Sequence, residues 1–483
     1  MKTDKYFKSL FFGFMQTAVL AGCLLSVSCA DDIFIGEPTN AGNYESVNRV
    51  DAMLFDVSTN MTEAVVEMRD DRLATELLVQ LSQKPSKGID VEIVFDPSYS
   101  ETYNATHNTK YAIFPGEVQI ENDGRIVLAP DDVTSPALSL TLKSSDDMVS
   151  GTTYILPVSL NIATDGITVA ECSRHVVYLV KDLRGQGNDT YKGRNAVKSV
   201  VYIEVNDANP LNALELELSN TGKLLFDEVI IFSSNINWDN LAGRVYLKHN
   251  QNVQFLLDHN EEFIQPLRRR GIKVILSVLG NHDIAGPAQL SAMGAREFAK
   301  ELAACCEAYN LDGVGFDDEY TQKPDLSNPW LAAHTTDAAA RLLYETKKAM
   351  PDKTVMVYYL NEMNARIPAV DGMSPNLFVD YVVPDYAQSV AAAPMTGMTV
   401  KNCAGASINL SFGSGGTDDQ EIAASRKAAG YGYYMFYNLN PSNYQTQISK
   451  INYVCNGLYG QPVSAPKYYY KQGDATRYPI EQE

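Results

Sequence analysis

Asp317 and Glu319 close the stretch Leu311-Asp312-Gly313-Val314-Gly315-Phe316-Asp317-Asp318-Glu319-Tyr320, an apolar run that ends in carboxylates. A strand turns its side chains over at every residue, so Gly315, Asp317 and Glu319 share one face and Phe316, Asp318 and Tyr320 the other. Two acids one residue apart at a strand end can hang side by side over a pocket. Crowded carboxylates shift each other's pKa, and an acid with a raised pKa can donate a proton near neutrality. That is a geometry for cleaving a glycosidic bond. Spacing alone is also met by a strand that runs into a solvated acidic loop.

The elements around the motif decide between these readings. Beyond about residue 197 the pattern alternates between strands and helices. Strands are expected at Ser199–Val205, Glu228–Phe232, Lys273–Val278, Gly313–Asp317, Thr354–Tyr359, Phe378–Val383, Ala406–Leu410 and Gly432–Tyr437. Helical periodicity falls between most of them, at Asn252–Arg270, Ala288–Tyr309, Asp337–Ala349 and Asp418–Ala429. Eight strands with interposed helices predict a (β/α)8 TIM barrel, whose chemistry sits at the C-terminal strand ends. Asp317 and Glu319 fall at such an end, on the fourth strand.

Residues 51–183 carry a different rhythm. Short runs such as Val91-Glu92-Ile93-Val94-Phe95 and Leu138-Ser139-Leu140-Thr141-Leu142 are separated by turn signals such as Asn122-Asp123-Gly124. This predicts an all-β sandwich, with no constellation of acid, base or nucleophile. Residues 184–196 read as a linker and 461–483 as a C-terminal tail, leaving 197–460 as the catalytic unit.

At the N-terminus, Lys2, Lys5 and Lys8 precede an apolar run from Leu10 to Val27. It is short for a membrane span and reads as an export signal covering residues 1–29, followed by a tether over 30–50. The segment resembles a bacterial lipoprotein signal, which implies that Cys29, or alternatively Cys23, becomes a lipidated mature N-terminus and that the protein is exported as an outer-membrane or cell-surface lipoprotein, or one on the periplasmic face. A plain cleaved signal fits the same residues.

The chain has 483 residues and a formal net charge of −20, which disfavours nucleic acid as a partner. After Cys23 and Cys29, the remaining cysteines are Cys172, Cys305, Cys306, Cys403 and Cys455. They have neither disulfide-framework nor metal-ligand spacing, so no metal and no cofactor is expected.

Asp-Gly-Val-x-Phe-Asp-x-Glu is the signature of glycoside hydrolase family 18. The longer run through Asp318 and Tyr320 resembles the endo-β-N-acetylglucosaminidases of that family. Gly271-Ile272-Lys273-Val274-Ile275-Leu276-Ser277-Val278-Leu279-Gly280-Asn281-His282 is similar to their strand-three motif. Ile230-Ile231-Phe232 with Asn235-Ile236-Asn237, and Gly430-Tyr431-Gly432 with Tyr437-Asn438-Leu439, match around strands two and eight. The sandwich is similar to domains that precede such barrels in Bacteroides-type surface lipoproteins.

The resemblance implies hydrolysis between the two N-acetylglucosamines at the core of N-glycans, with high-mannose chains favoured. Glu319 would be the general acid and then the base for water. Asp317 would orient the substrate's own 2-acetamido group as it attacks the anomeric carbon, a substrate-assisted route. Asp312 would be a buried structural acid. Tyr386 either helps hold the acetamido carbonyl or is a plain loop tyrosine. Asn281, His282, Tyr437, Asn235 and Glu204 are further candidates for sugar contact. The family commonly has an Asp where this chain has Gly315, which implies a shifted pH profile. A chitinase of the same family, and a glycan-binding protein on the same barrel, are the rival readings.

Overall fold

The computed structural model describes residues 50–475, apart from 194, 388 and 389. Cys23 and Cys29 lie outside the described residues, with the expected signal and most of the tether.

The first half is built from β1 (Val50–Asp56), β2 (Glu63–Met68), β3 (Arg72–Leu81), β4 (Ile89–Phe95), β5 (Ala112–Ile113) and β6 (Glu117–Ile120), and continues with β7 (Arg125–Leu128), β8 (Leu138–Lys143), β9 (Thr153–Ile162), β10 (Ile167–Val169) and β11 (His175–Asp182). One sheet runs β10-β1-β3-β8-β6 and the other β2-β11-β9-β4-β7, with β5 beside β9. Alternate residues meet in a shared core, among them Leu54, Val79 and Leu140 of one sheet and Ile93, Val158 and Tyr178 of the other. The half is not purely β, because Tyr99–His107 forms a helix. Its polar residues gave no apolar stripe to read.

The second half holds β12 (Lys198–Glu204), β13 (Glu228–Asp239), β14 (Arg244–Lys248), β15 (Lys273–Leu279), β16 (Gly313–Asp317), β17 (Thr354–Tyr359), β18 (Tyr381–Pro384), β19 (Ala404–Asn409) and β20 (Tyr433–Tyr437). All but β14 are parallel and run β18-β17-β16-β15-β13-β12-β20-β19. A single parallel bridge, Val382 to Cys403, joins β18 to β19, so the barrel is nearly closed. β14 folds back antiparallel on the extension of β13.

Side-chain alternation sorts the two barrel layers. Val201, Ile203, Val314 and Phe316 pack outward in the helix-facing core. Val200, Tyr202, Ile275, Met356 and Tyr358 fill the inside.

Helices fill the connections where helical periodicity was expected, and not every barrel strand is followed by one among the described residues. α-Helices follow β14, β15, β16, β19 and β20, whereas 3-10 turns stand after β12, β17 and β18. The helix expected at Asn252–Arg270 breaks into Gln251–Asp258, Asn260–Phe263 and Gln265–Arg269. Pro266 lacks the N–H that an unbroken helix would need there. Of the expected C-terminal tail, the described residues 461–475 lie along the barrel: Val463 and Tyr470 are buried in its outer core, and the Tyr470 backbone exchanges hydrogen bonds with the Asn212 side chain.

Asp312 sits just before β16 as a partly buried acid. Arg268 grips it with two hydrogen bonds of 2.8 and 3.0 Å, and the Val274 N–H donates to it at 2.9 Å. Burial alone would raise its pKa, but the Arg268 charge and hydrogen bonds prevail and hold it at about 2. Its contribution to stability is therefore complete above the ordinary carboxyl value of 3.8 and is lost as pH falls toward about 2. Arg268→Met should remove about 3–5 kcal/mol, because it strands a partly buried carboxylate. Urea unfolding at neutral pH should show this loss, and at pH near 3 a smaller one.

Candidate functional site

Asp317 is the last residue of β16 and is 3% exposed. Its Oδ1 is buried without a hydrogen-bond partner, unusual for a carboxylate oxygen and a mark of a group set aside for function. Burial pushes its pKa well above the usual carboxylate range, and the charges of Glu319, Asp318 and Asp385 add to the rise. Glu319 is half-buried, and burial, then the Asp385 charge, raise its pKa as well. The shift on Glu319 favours the acid form, which a proton donor needs.

The chain after β16 is pinned by its neighbour strand. Gly280, just past β15, lies so close that a Cβ there would fall 2.1 Å from the Glu319 carbonyl oxygen. The His282 N–H donates to the Tyr320 carbonyl at 2.6 Å, and Tyr320 takes a left-handed turn at φ 54°. A glycine is required at 280 because the two backbones run almost in contact.

Asp318 was singled out only as the residue facing the other way. It is fully buried. His334 Nε2 lies 2.8 Å from its Oδ2, the Glu362 N–H donates to Oδ2 at 3.1 Å, and Asn361 Nδ2 donates to its backbone carbonyl at 2.6 Å. This residue between the two candidate acids thus ties the loops after β16 and β17 together. Nothing in the spacing of His334 signalled this, since it lies before a helix and sixteen residues from Asp318.

Across the mouth, Tyr386 after β18 stacks on Tyr437 of β20, with ring centroids 4.4 Å apart and planes 11° from parallel. The Tyr437 hydroxyl donates to Glu204 at the end of β12. Burial raises the pKa of Glu204, a rise that this hydrogen bond opposes. Tyr386 and Tyr437 both feel the Glu319 charge, so the platform and the acids share one space. Asp385 is a further carboxylate that the sequence reading missed. It accepts from the Tyr358 hydroxyl at 2.6 Å and from the Ala387 N–H at 2.9 Å.

The remaining candidates hold the rim. Asn235 Nδ2 donates to the Gly280 carbonyl at 3.2 Å, and Asn281 Nδ2 to Asn237 Oδ1 at 2.9 Å. Asn237 in turn donates to Asp283 at 3.0 Å. These amide donors are spent on scaffolding, while His282 is exposed beside Tyr320.

The space beside Gly315 belongs to another residue. A Cβ there would lie 2.3 Å from Met356 Sδ, and that sulfur accepts from the Tyr202 hydroxyl at 3.4 Å. The thioether occupies the place of the missing family acid, so an Asp introduced at 315 must first displace Met356. No group of His, Cys, Asp and Glu suited to a metal ion is found among the described residues.

Known proteins resemble the chain along most of its length. A family model described as an N-terminal domain matches residues 49–167. Endo-beta-N-acetylglucosaminidase F1 of Elizabethkingia meningoseptica is 40% identical over 273 residues, covering 55% of this chain and 78% of that protein. An endo-beta-N-acetylglucosaminidase of Flavobacterium sp. (strain SK1022) is 31% identical over 264 residues, covering 54% of this chain and 81% of its own. The crystal structure of Bacteroides thetaiotamicron EndoBT-3987 with Man5GlcNAc product superposes with a TM-score of 0.81 at 41% identity, over 89% of this chain and all 100% of the other. The same enzyme in complex with Man9GlcNAc2Asn substrate gives a TM-score of 0.74 at 39% identity, with the same coverage.

Proposed function

From the premise that this chain belongs to the family 18 endo-β-N-acetylglucosaminidases and is a glycoside hydrolase, we propose that it cleaves the chitobiose core of high-mannose N-glycans by substrate assistance. The observation that carries the mechanism is the buried, unpartnered Oδ1 of Asp317 beside the half-exposed Glu319. An acetamido N–H is the complement of that oxygen.

Glu319 gives its proton to the glycosidic oxygen as the bond to the leaving N-acetylglucosamine breaks. The acetamido carbonyl oxygen attacks the anomeric carbon from the opposite face and closes an oxazolinium ring. Asp317 accepts the acetamido N–H and offsets the positive charge that develops. Water, losing a proton to Glu319, then opens the ring with retention of configuration. The Tyr386–Tyr437 platform, set by Glu204, presents an aromatic face and hydroxyls to the sugar. His282 and Tyr320 stand at the exposed edge.

High-mannose specificity rests on the Man5GlcNAc product and Man9GlcNAc2Asn substrate bound by the superposable enzyme. A chitin track is disfavoured because the tryptophans Trp238 and Trp330 pack edge to face on each other, 6.3 Å apart. Incubation with a Man9GlcNAc2-bearing glycoprotein should release Man9GlcNAc and leave one N-acetylglucosamine on asparagine. Faster cleavage of chitin oligosaccharides would overturn this reading. Retention of the glycan without cleavage would favour a binding protein.

We further propose that Cys29, with Cys23 as the alternative, carries a lipid that anchors the protein to the outer membrane. Replacing both cysteines with serine should move the protein from the membrane to the soluble exported fraction. Membrane retention of that double variant would exclude an anchor at either position.

A further inference from the structure

The seam between the sandwich and the starts of the barrel strands contains a cavity of about 30 Å³ whose walls are charged. Its lining includes Arg69 and Lys181 from the sandwich, and Arg268, Lys273 and Lys353 from the barrel. These cations do not find equal numbers of partners. Glu67 is shared between Arg69 and Lys273, each at 3.0 Å. Asp312 is taken by Arg268, as described above. Lys181 faces Asp352, whose Oδ1 accepts from Tyr111 at 2.8 Å and whose Oδ2 accepts from Thr153 at 2.9 Å, and the charges of Lys181 and Lys353 are felt by Asp352 and Asp312 alike. Lys181 Nζ stays 3.9 Å from Oδ2, too long for a hydrogen bond.

Five cationic groups thus crowd around Glu67, Asp312 and Asp352, with Glu228 beyond Lys273 as a fourth carboxylate, in a region only partly open to water. An ammonium in such a place is disfavoured unless a counter-charge reaches it. Burial pulls the pKa of Lys181 down to about 8, and Asp352 only partly offsets this. The volume is enough for an ion the size of one or two waters. It also adjoins a wider cleft lined by Arg72, Lys192 and Lys198, which shares Glu67, Arg69, Gly271 and Lys273 with it and gives a route from solvent.

We infer that this cavity is a binding site for a small monovalent anion of the chloride class, held by Lys181 and Lys353 and joining the sandwich to the barrel. The anion would supply the counter-charge that the protein lacks there, and its binding would stabilise the docked arrangement by mass action. The site lies at the strand-start end and is independent of the catalytic reading.

The test uses the full chain in sodium chloride and in sodium gluconate at matched ionic strength, since gluconate is too large for the cavity. Chloride should raise the unfolding midpoint by about 2 °C or more over gluconate. Lys181→Met should abolish that difference and leave glycan release unchanged. If Lys181→Met does not fold, Lys353→Gln serves the same comparison. Crystals grown in sodium bromide should show an anomalous peak within hydrogen-bond reach of Lys181 Nζ. Equal midpoints in the two salts, or no peak, would overturn the inference. A peak with equal midpoints would mean an adventitious ion only, and overturns it too.

Discussion

Glu319→Gln should lower kcat on a high-mannose glycoprotein by about 10²–10⁴-fold, the usual worth of a positioned general acid. The side chain is half-exposed and makes no hydrogen bond with a described residue, so its amide should leave the fold and the affinity for glycan intact. The loss should appear in kcat and in kcat/KM alike, because the proton moves only in the transition state. An aryl glycoside with a good leaving group needs less protonation and should be spared most of the defect. A variant with parent-like turnover of the natural glycan would show that another group donates the proton.

Asp317→Asn should lower kcat by roughly 10²–10³, as the loss of an aimed electrostatic partner does, yet the folded protein should become more stable. The parent buries a carboxyl with one oxygen unpartnered among Glu319, Asp318 and Asp385, which favours the proton-bound form in the folded state. A carboxyl whose folded pKa is raised subtracts stability as pH climbs past its ordinary value of 3.8, where the unfolded chain ionises first. The gain on mutation, about 1 kcal/mol, should therefore be absent near pH 3 and grow toward neutrality. Thermal unfolding of both proteins across pH measures it. The mechanism has its own check: a substrate without the 2-acetamido group at the cleaved sugar should be inert. Its cleavage at a natural rate would point to a protein nucleophile instead.

The barrel could be read because its strands are short apolar runs with hard boundaries. Lys273–Leu279 and Gly313–Asp317 emerge at or within one residue of where the pattern puts them. The sixth strand was placed too early, because Pro375–Leu377 forms a 3-10 turn and pairing begins only at Tyr381. Asp317 and Glu319 were legible because the motif is local. Asp318 with His334, and Asp385 with Tyr358, were not, since the first pair meets across one long irregular connection and the second joins a loop to strand β17, and neither has a period. Met356 beside Gly315 belongs to the same class. Its position follows from the register between β16 and β17, which pairs the two residues directly, and register is fixed by the assembled barrel.

The sandwich grips the barrel through Lys273 and Asp352, in a seam that Asp312 lines at the start of β16, while Asp317 ends that strand. The two ends of a single five-residue strand therefore divide the molecule into a holding side and a working side. A protein fastened by its sandwich would present its cleft outward, away from whatever surface bears it. Folded glycoproteins are far wider than the sugar chain they carry. A cleft pointed outward on a stalk can meet the glycan at its root, where the polypeptide stands one sugar from the bond to be cut.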